Sequence, residues 1–347
     1  MQTQTEYRPV NALGLETLVA TLFVRVGARE ADATGLAHDL VDADLRGVHS
    51  HGCRFVMDYL KNCRSGGYNL RADLALIRDG GSTVLADGQR GFGHVMGARA
   101  MALAIERART HGVGIVLLQN GTHNGALAYF TQAAADAGCI GFATTGGGVS
   151  MVPPGGREKL VGLNPLSWSA PTNRPWALNL DMATSVAAGS KLLLAKQRGE
   201  KIPLGWAVGP DGDPTDDPDL GLQGGLLPMA GYKGYGLALM LDVVSGLLGG
   251  GRFGGNLGNG SSIQHYQAID VERFMPLDEF KGRMDQLIDQ LKGSGPATGS
   301  RGVFLPGEVE YQLKQERLAN GIPLDSYTRD GIRNEAREAG LTYDVEM

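Results

Sequence analysis

Three cysteines in 347 residues, Cys53, Cys63 and Cys139, are odd in number and show no CxxC spacing. This excludes a disulfide framework and a Cys-based zinc cluster, and with a polar start and no signal-like leader it points to a reducing compartment, the cytoplasm. Long hydrophobic runs are lacking too. The longest apolar stretch, Gly236 to Leu248, is shorter than a bilayer span and contains Asp242, so no membrane segment is expected. Positive charge is not in excess: 32 Lys and Arg stand against 37 Asp and Glu, a net charge of -5, which gives no overall electrostatic basis for binding nucleic acid. No GxGxxG fingerprint follows any predicted strand, which removes the usual Rossmann route to a dinucleotide.

Glycine, by contrast, is abundant. The 53 glycines are about twice the average usage of roughly 7%, with no repeat period, and imply many tight turns and close backbone approaches. Apolar periodicity predicts helices over Leu15–Val26, Glu30–Leu45 and Val95–Arg109, then a buried strand over Val113–Leu118. A polar loop, Gln119 to Gly125, follows it and leads into an Ala-rich helix, Ala126–Ala137. A strand at Cys139–Thr145 opens onto Gly146-Gly147-Gly148, and a short strand at Ala177–Leu180 opens onto Asp181. Further helices are read at Lys191–Gln197, after Lys233-Gly234-Tyr235-Gly236, at Leu277–Lys292, and twice near the C-terminus. The alternation indicates an α/β or α+β fold. The glycine-dense Gly249–Gly260 segment reads as a lid.

His51 and His123 draw attention because both sit in Gly-rich polar loops after helix or strand ends, where ligand contacts concentrate. The bland alternative, an imidazole that only ties down a loop, is the commoner case for a histidine taken alone. His49 and His51 alternate, so on an extended segment they would share a face, and with His123 they form a conceivable zinc set for a metal-dependent hydrolase; no motif supplies further ligands. Gly231 to Gly236, with Lys233 before a helix, has the makings of a phosphate cradle, although such a run is more often a turn and helix start.

At these residues the chain resembles the type-2 malate/L-lactate dehydrogenase family, which includes ureidoglycolate and sulfolactate dehydrogenases. The resemblance rests on Arg46-Gly47-Val48-His49-Ser50-His51-Gly52, Thr122-His123-Asn124-Gly125, Gly162-Leu163-Asn164-Pro165, Asp181-Met182-Ala183-Thr184-Ser185, Lys233-Gly234-Tyr235-Gly236-Leu237 and Leu305-Pro306-Gly307-Glu308, in the family's order. It implies a mixed α/β, non-Rossmann fold with a large, mostly antiparallel sheet. It also implies a helical lobe over 1–75 completed by 275–347, a dinucleotide and substrate region over 76–274, and a homodimer. The implied reaction is hydride transfer between NAD, or NADP, and a small 2-hydroxy or 2-oxo acid.

In the family's terms His123 is the general base for oxidation and His51 a second donor, with the two roles interchangeable. Ser50, Arg54 and Tyr59 are implied substrate contacts. Gly147, Leu180, Asp181, Lys233, Gly234, Gly307 and Glu308 are implied cofactor contacts, and no metal is implied. One departure bears on substrate. Where the ureidoglycolate arm has a carboxylate-pairing Arg four residues after the SHG histidine, this chain has Phe55, with Arg54 one residue earlier. A chain that keeps the fold and binds a dinucleotide without dehydrogenase activity is therefore a second reading.

Overall fold

The computed structural model describes residues 7–257 and 262–346. The glycine-dense segment read as a lid lies partly outside them: 258–261 are not described, and before them the chain forms turns and a 3-10 turn at Gly254–Asn256.

Two N-terminal helices, α1 (Ala12–Arg25) and α2 (Glu30–Leu45), pack side by side. In α1 the Asn11 side chain accepts the Gly14 N–H at 2.8 Å, which fixes the start, and Leu15, Leu18, Val19, Leu22 and Phe23 are buried at helical spacing. The chain then makes a 3-10 turn at His49–His51, a second at Cys53–Phe55, and enters α3 (Val56–Arg64). The two histidines thus lie on one tight turn, not on the extended segment their alternation suggested.

The main sheet has seven strands among the described residues: β1 (Ala75–Asp79), β2 (Thr83–Asp87), β3 (Val113–Gly121), β4 (Cys139–Thr145), β5 (Leu166–Ala170), β6 (Leu178–Met182) and β7 (Ser262–Asp270). Their spatial order is β1-β2-β3-β7-β4-β5-β6. Every neighbouring pair is antiparallel except β2 and β3, which are joined by the helix α4 (Gly93–His111), as a parallel pair requires a crossover. A second helix, α5 (Ala128–Asp136), links β3 to β4 and packs on β4 and β5.

β7 is the strand the sequence hides best. It pairs with both β3 and β4 at the middle of the sheet, and Gln264, His265 and Tyr266 in it are all buried. With both faces covered, no polar-apolar alternation is left to read.

A smaller five-stranded sheet, formed by short strands between Val149 and Leu226, has its own core around Met151, Leu192, Ile202 and Leu226. Arg8–Val10 pairs with Ile322–Leu324, and Val10 also bridges to Glu346, so the two ends of the described chain are stitched together. Among the described residues no helix is long and apolar enough to cross a membrane.

Candidate active site

The ends of β3, β4 and β6, the first 3-10 turn and the start of α5 surround a cavity of about 910 Å³, within the range of small-molecule and cofactor sites. Its wall includes Arg46, Ser50, His51, Tyr68, Arg90, His123, Gly146, Gly147, Gly148, Asn179, Asp181 and Glu310. It thus gathers the two histidines, Ser50, Gly147 and Asp181 that the sequence singled out, although they are up to 131 residues apart.

The loop after β3 places His123. Thr122 Oγ1 accepts the Gly93 N–H at 2.8 Å and donates to the Gly91 carbonyl at 2.7 Å, while Gln264 Nε2 donates to the Thr122 carbonyl at 2.7 Å. Asn124, buried, donates to the Tyr266 hydroxyl at 3.0 Å. The start of α4 comes so close that a Cβ on Gly93 would lie 2.3 Å from the His123 carbonyl oxygen. Gly125, at φ +69, passes over the His94 ring, where a Cβ would lie 2.3 Å from Cε1. No side chain fits at either position.

The rings of His51 and His123 stack with centroids 5.9 Å apart and planes 10° from parallel. Ser50 Oγ is bonded to His51 Nδ1 at 2.9 Å. His123 Nδ1 is bonded to the Tyr59 hydroxyl, so Nε2 is the ring atom left for a ligand. Phe55 covers His123 from the side, centroid to centroid 4.8 Å, and stacks on Tyr59 at 5.5 Å. Burial, with the charges of His94 and then His51, pushes His123 down to about 3. Burial, then His94 and Arg54, lowers His51 as well. Both rings are accordingly neutral at neutral pH.

His49 points elsewhere. Its Nδ1 is bonded to buried Asp44 at 2.6 Å and its Nε2 to Arg317 at 2.9 Å, and Asp44 also accepts the Cys53 N–H at 2.7 Å. His49 therefore braces the turn that presents Ser50 and His51 and is not part of a zinc set with them. Among the described residues no three His, Cys, Asp or Glu side chains converge as a metal ion requires.

The glycine-lined part of the cavity wall is different in kind. Gly146-Gly147-Gly148 lines it with bare backbone, and a Cβ on Gly148 would meet nothing within 4 Å. Asp181, at the end of β6, accepts the Ala128 N–H at 2.7 Å at the start of α5. It is open to the cavity yet deep in surrounding protein, and this enclosure governs its ionisation: desolvation raises it to about 6, against the pull of the Ala128 N–H and Arg46. Arg46 is held beside it by Asp42 at 3.7 Å and Asn179 at 3.4 Å.

The remaining sequence candidates lie off this wall. Arg54 is exposed, its guanidinium 5.8 Å above the Phe55 ring. Leu180 packs near Phe142, Leu166 and Leu241. Lys233 is exposed, and buried Gly234 turns against the Met229 carbonyl. Gly307, at φ +89, starts the helix Glu308–Asn320 beneath the cavity residue Asn179, whose N–H donates to the Pro306 carbonyl at 3.0 Å. Glu308 is tied to Lys292 and to the Leu305 N–H. Tyr59 does not line the cavity but is bonded to His123, which does.

Sequence reasoning passed over Arg90, Arg46, His94 and Asp39. Arg90 ends the run Asp87-Gly88-Gln89-Arg90 and, like Gln89, has a positive φ, +58 and +52. Such non-glycine backbone is uncommon and gathers at ligand sites. Arg90 Nη2 donates to the Gly67 carbonyl at 3.0 Å, and the side chain has no carboxylate partner among the described residues.

The malate/L-lactate dehydrogenase family profile matches residues 10–333. This chain belongs to that family. It is 39% identical to a malate dehydrogenase of Pyrococcus abyssi over 94% of each chain, and 35% identical to an NAD(+) ureidoglycolate dehydrogenase of Escherichia coli O157:H7 over 89% of this chain and 90% of the relative. The solved structure of sulfolactate dehydrogenase from Methanocaldococcus jannaschii superposes with a TM-score of 0.90 at 35% identity, covering 96% of this chain and 98% of that one. The chain is therefore an oxidoreductase of the hydroxy-acid dehydrogenase class, with the mixed, mostly antiparallel sheet of that fold.

Proposed function

We propose that the enzyme uses NAD to interconvert a small 2-hydroxy acid and its 2-oxo acid, with His123 as the base for oxidation and the acid for reduction. The observation that carries this reading is the arrangement of His51 and His123: two neutral, stacked imidazoles on the wall of a cavity that also presents bare glycine backbone and a carboxylate. The glycine end fits a dinucleotide because its backbone is open to close approach, and Asp181 suits a ribose hydroxyl as acceptor. The nicotinamide, when bound, supplies the hydride acceptor for the carbinol carbon.

His123 Nε2 takes the hydroxyl proton, since Nδ1 is engaged by Tyr59. His51 and Ser50, bonded to each other, orient the substrate oxygen. Phe55 keeps water from the side of the His123 ring. The carboxylate falls to Arg90, which lines the cavity and whose side chain among the described residues has a backbone carbonyl as its only partner, and not to Arg54, which does not line it. Arg pairs carboxylates through two parallel N–H donors, and Arg90 has them to spare. Lys233, Gly234, Gly307 and Glu308 act beyond the described wall, through the segments that frame it. The cytoplasm suits three free, buried thiols. A homodimer is part of the same reading.

The test follows nicotinamide absorbance with NADH and then NADPH against pyruvate, oxaloacetate, sulfopyruvate and glyoxylate derivatives. Turnover of at least one acid is expected, and His123→Ala should lower it by at least about a hundredfold while nucleotide binding survives. Silence across the panel with tight nucleotide binding would establish the binding-protein reading instead.

A further inference from the structure

His123 in this setting poses a chemical problem. A ring that must accept a proton is placed where burial and two neighbouring histidines oppose a positive charge. The geometry behind it offers the way out. Tyr59 Oη, bonded to His123 Nδ1, is also 3.1 Å from His94 Nε2, and His94 Nδ1 is bonded to Asp39 Oδ2. Asp39, His94 and Tyr59 are 1%, 2% and 3% exposed, so this row of four groups is sealed from solvent except at His123. Asp39 comes from α2, Tyr59 from α3, His94 from α4 and His123 from the loop after β3. Four separate elements converge to make one unbranched hydrogen-bond chain.

We infer that Asp39 and His94 are the far end of a proton relay through Tyr59, and that His123 works by exchanging one neutral tautomer for the other. This rests on the function proposed above. In the direction of oxidation, the hydride leaves with the C–H electron pair to the nicotinamide, and the O–H pair becomes the second bond of the new carbonyl. The hydroxyl proton goes to His123 Nε2 as the Nδ1 proton passes to Tyr59 Oη. The Tyr59 proton passes to His94 Nε2, and the His94 Nδ1 proton passes to Asp39. Each intermediate group gains one proton and loses one, and only Asp39 ends with one more than before. Reduction runs the row backwards and presents the Nε2 proton to the carbonyl oxygen.

No ring carries a positive charge at the end of either run, which suits a site that disfavours one. Burial raises Asp39 while His94 pulls it down; a raised carboxyl is the one able to hold the stored proton. The other titratable groups within electrostatic reach of Asp39 are His38 and Asp42 of its own helix, Tyr129 of α5 and Tyr266 of β7. Asp42 is committed to Lys314 at 2.6 Å and His38 to Glu16 at 3.2 Å, so neither competes for the relay.

The experiment is nitrogen-15 NMR of the histidine rings in the whole protein, from about pH 5 to 9 around the ordinary histidine range, together with steady-state kinetics in mixtures of light and heavy water. The expected result is a His123 ring that stays neutral while its proton moves between Nδ1 and Nε2, and a curved dependence of kcat on deuterium fraction. Tyr59→Phe keeps the ring and removes only the relay hydroxyl. It should fix His123 in one tautomer, make the deuterium dependence linear and lower kcat by about a hundredfold, with KM for the nucleotide unchanged. His94→Gln should do the same. An imidazolium signal for His123 in the working range, or a Tyr59→Phe protein with the wild-type tautomer response, would overturn the relay even with turnover intact. Absence of turnover in the wild type overturns the reading of function, and the relay as catalytic machinery with it.

Discussion

At the histidine end of the cavity, the groups that face the ligand are already bonded to the protein: His51 to Ser50, His123 to Tyr59, Thr122 to Gly91 and Gly93. At the glycine end, Gly146, Gly147 and Gly148 present backbone, and Gly148 faces open space. The first end is preorganised, its donors and acceptors aimed before a substrate arrives, and a small displacement there costs rate. The second end is left to be completed by what binds. Proton transfer demands fixed atoms within hydrogen-bond reach, whereas holding a long ligand demands room, and one cavity meets both by dividing them between its ends.

The sharpest way to break this contrast is to add one methyl group at each end. Gly125→Ala puts a Cβ into the His94 ring at a backbone angle of +69°. Overpacking of about 1–3 kcal/mol and a left-handed penalty of about 1–2 kcal/mol should combine to a loss of several kcal/mol in denaturant unfolding, with a fall in kcat. Gly148→Ala meets nothing within 4 Å, so stability should stay within about 0.5 kcal/mol while nucleotide affinity falls. Equal destabilisation by the two would show that the ends are equally packed and that the contrast is wrong.

The next pair separates the ligands. Arg90→Gln removes the cavity-lining cation that has no carboxylate partner among the described residues and should raise KM for the acid by roughly tenfold to a hundredfold, the scale of a hydrogen bond to a charged group at about 1.5–3 kcal/mol. KM for the nucleotide should hold. Asp181→Asn should do the reverse, raising KM for the nucleotide about tenfold and leaving that for the acid alone. If Arg90→Gln leaves the acid's KM unchanged and Arg54→Gln raises it, the carboxylate lies on the other side of Phe55.

The contrast also explains what the sequence showed and what it hid. His51 and His123 drew attention because polar, Gly-rich loops after strand or helix ends are visible in a single sequence, but their roles, and Asp181 as a site residue, came with the family resemblance. Asp39 was not legible, because it sits between Leu36 and Leu40 on the buried stripe of α2, where an acid looks like a flaw in the apolar pattern. The explanation is a partner 55 residues away. That partner, His94, falls at a helix start one residue before the first predicted helical position, flanked by Gly91, Gly93 and Gly97, and that spacing was the available signal. The helices over Glu30–Leu45 and Leu277–Lys292 and the strand over Cys139–Thr145 agree to the residue with the structure, since glycine or proline marks their ends: Gly47 after the first, Pro276 and Gly293 around the second, Gly138 and Gly146 around the strand. β7 had neither alternation nor an apolar run. Arg54 and Lys233 were chosen for their motifs, and spacing along a chain does not say which way a side chain turns.

The smallest effect expected is on acid stability, where the two ends should pull in opposite directions. His123 is lowered from 6.5 to about 3, so between those values the unfolded chain binds a proton that the folded chain refuses, and stability falls as the pH drops. Asp181 is raised from 3.8 to about 6. Across that narrower window the folded chain holds a proton the unfolded chain has lost, and stability rises as the pH drops. A full proton of difference corresponds to about 1.36 kcal/mol per pH unit, and both His123 and Asp181, being open to the cavity, should deliver less than that. Denaturant midpoints measured through this range should therefore decline more steeply on acidification in Asp181→Asn than in the wild type, and less steeply in His123→Gln. Parallel profiles for all three would mean that the two ends of the cavity do not differ in how they hold protons, and the tied, charge-averse character assigned to the histidine end would have to be given up.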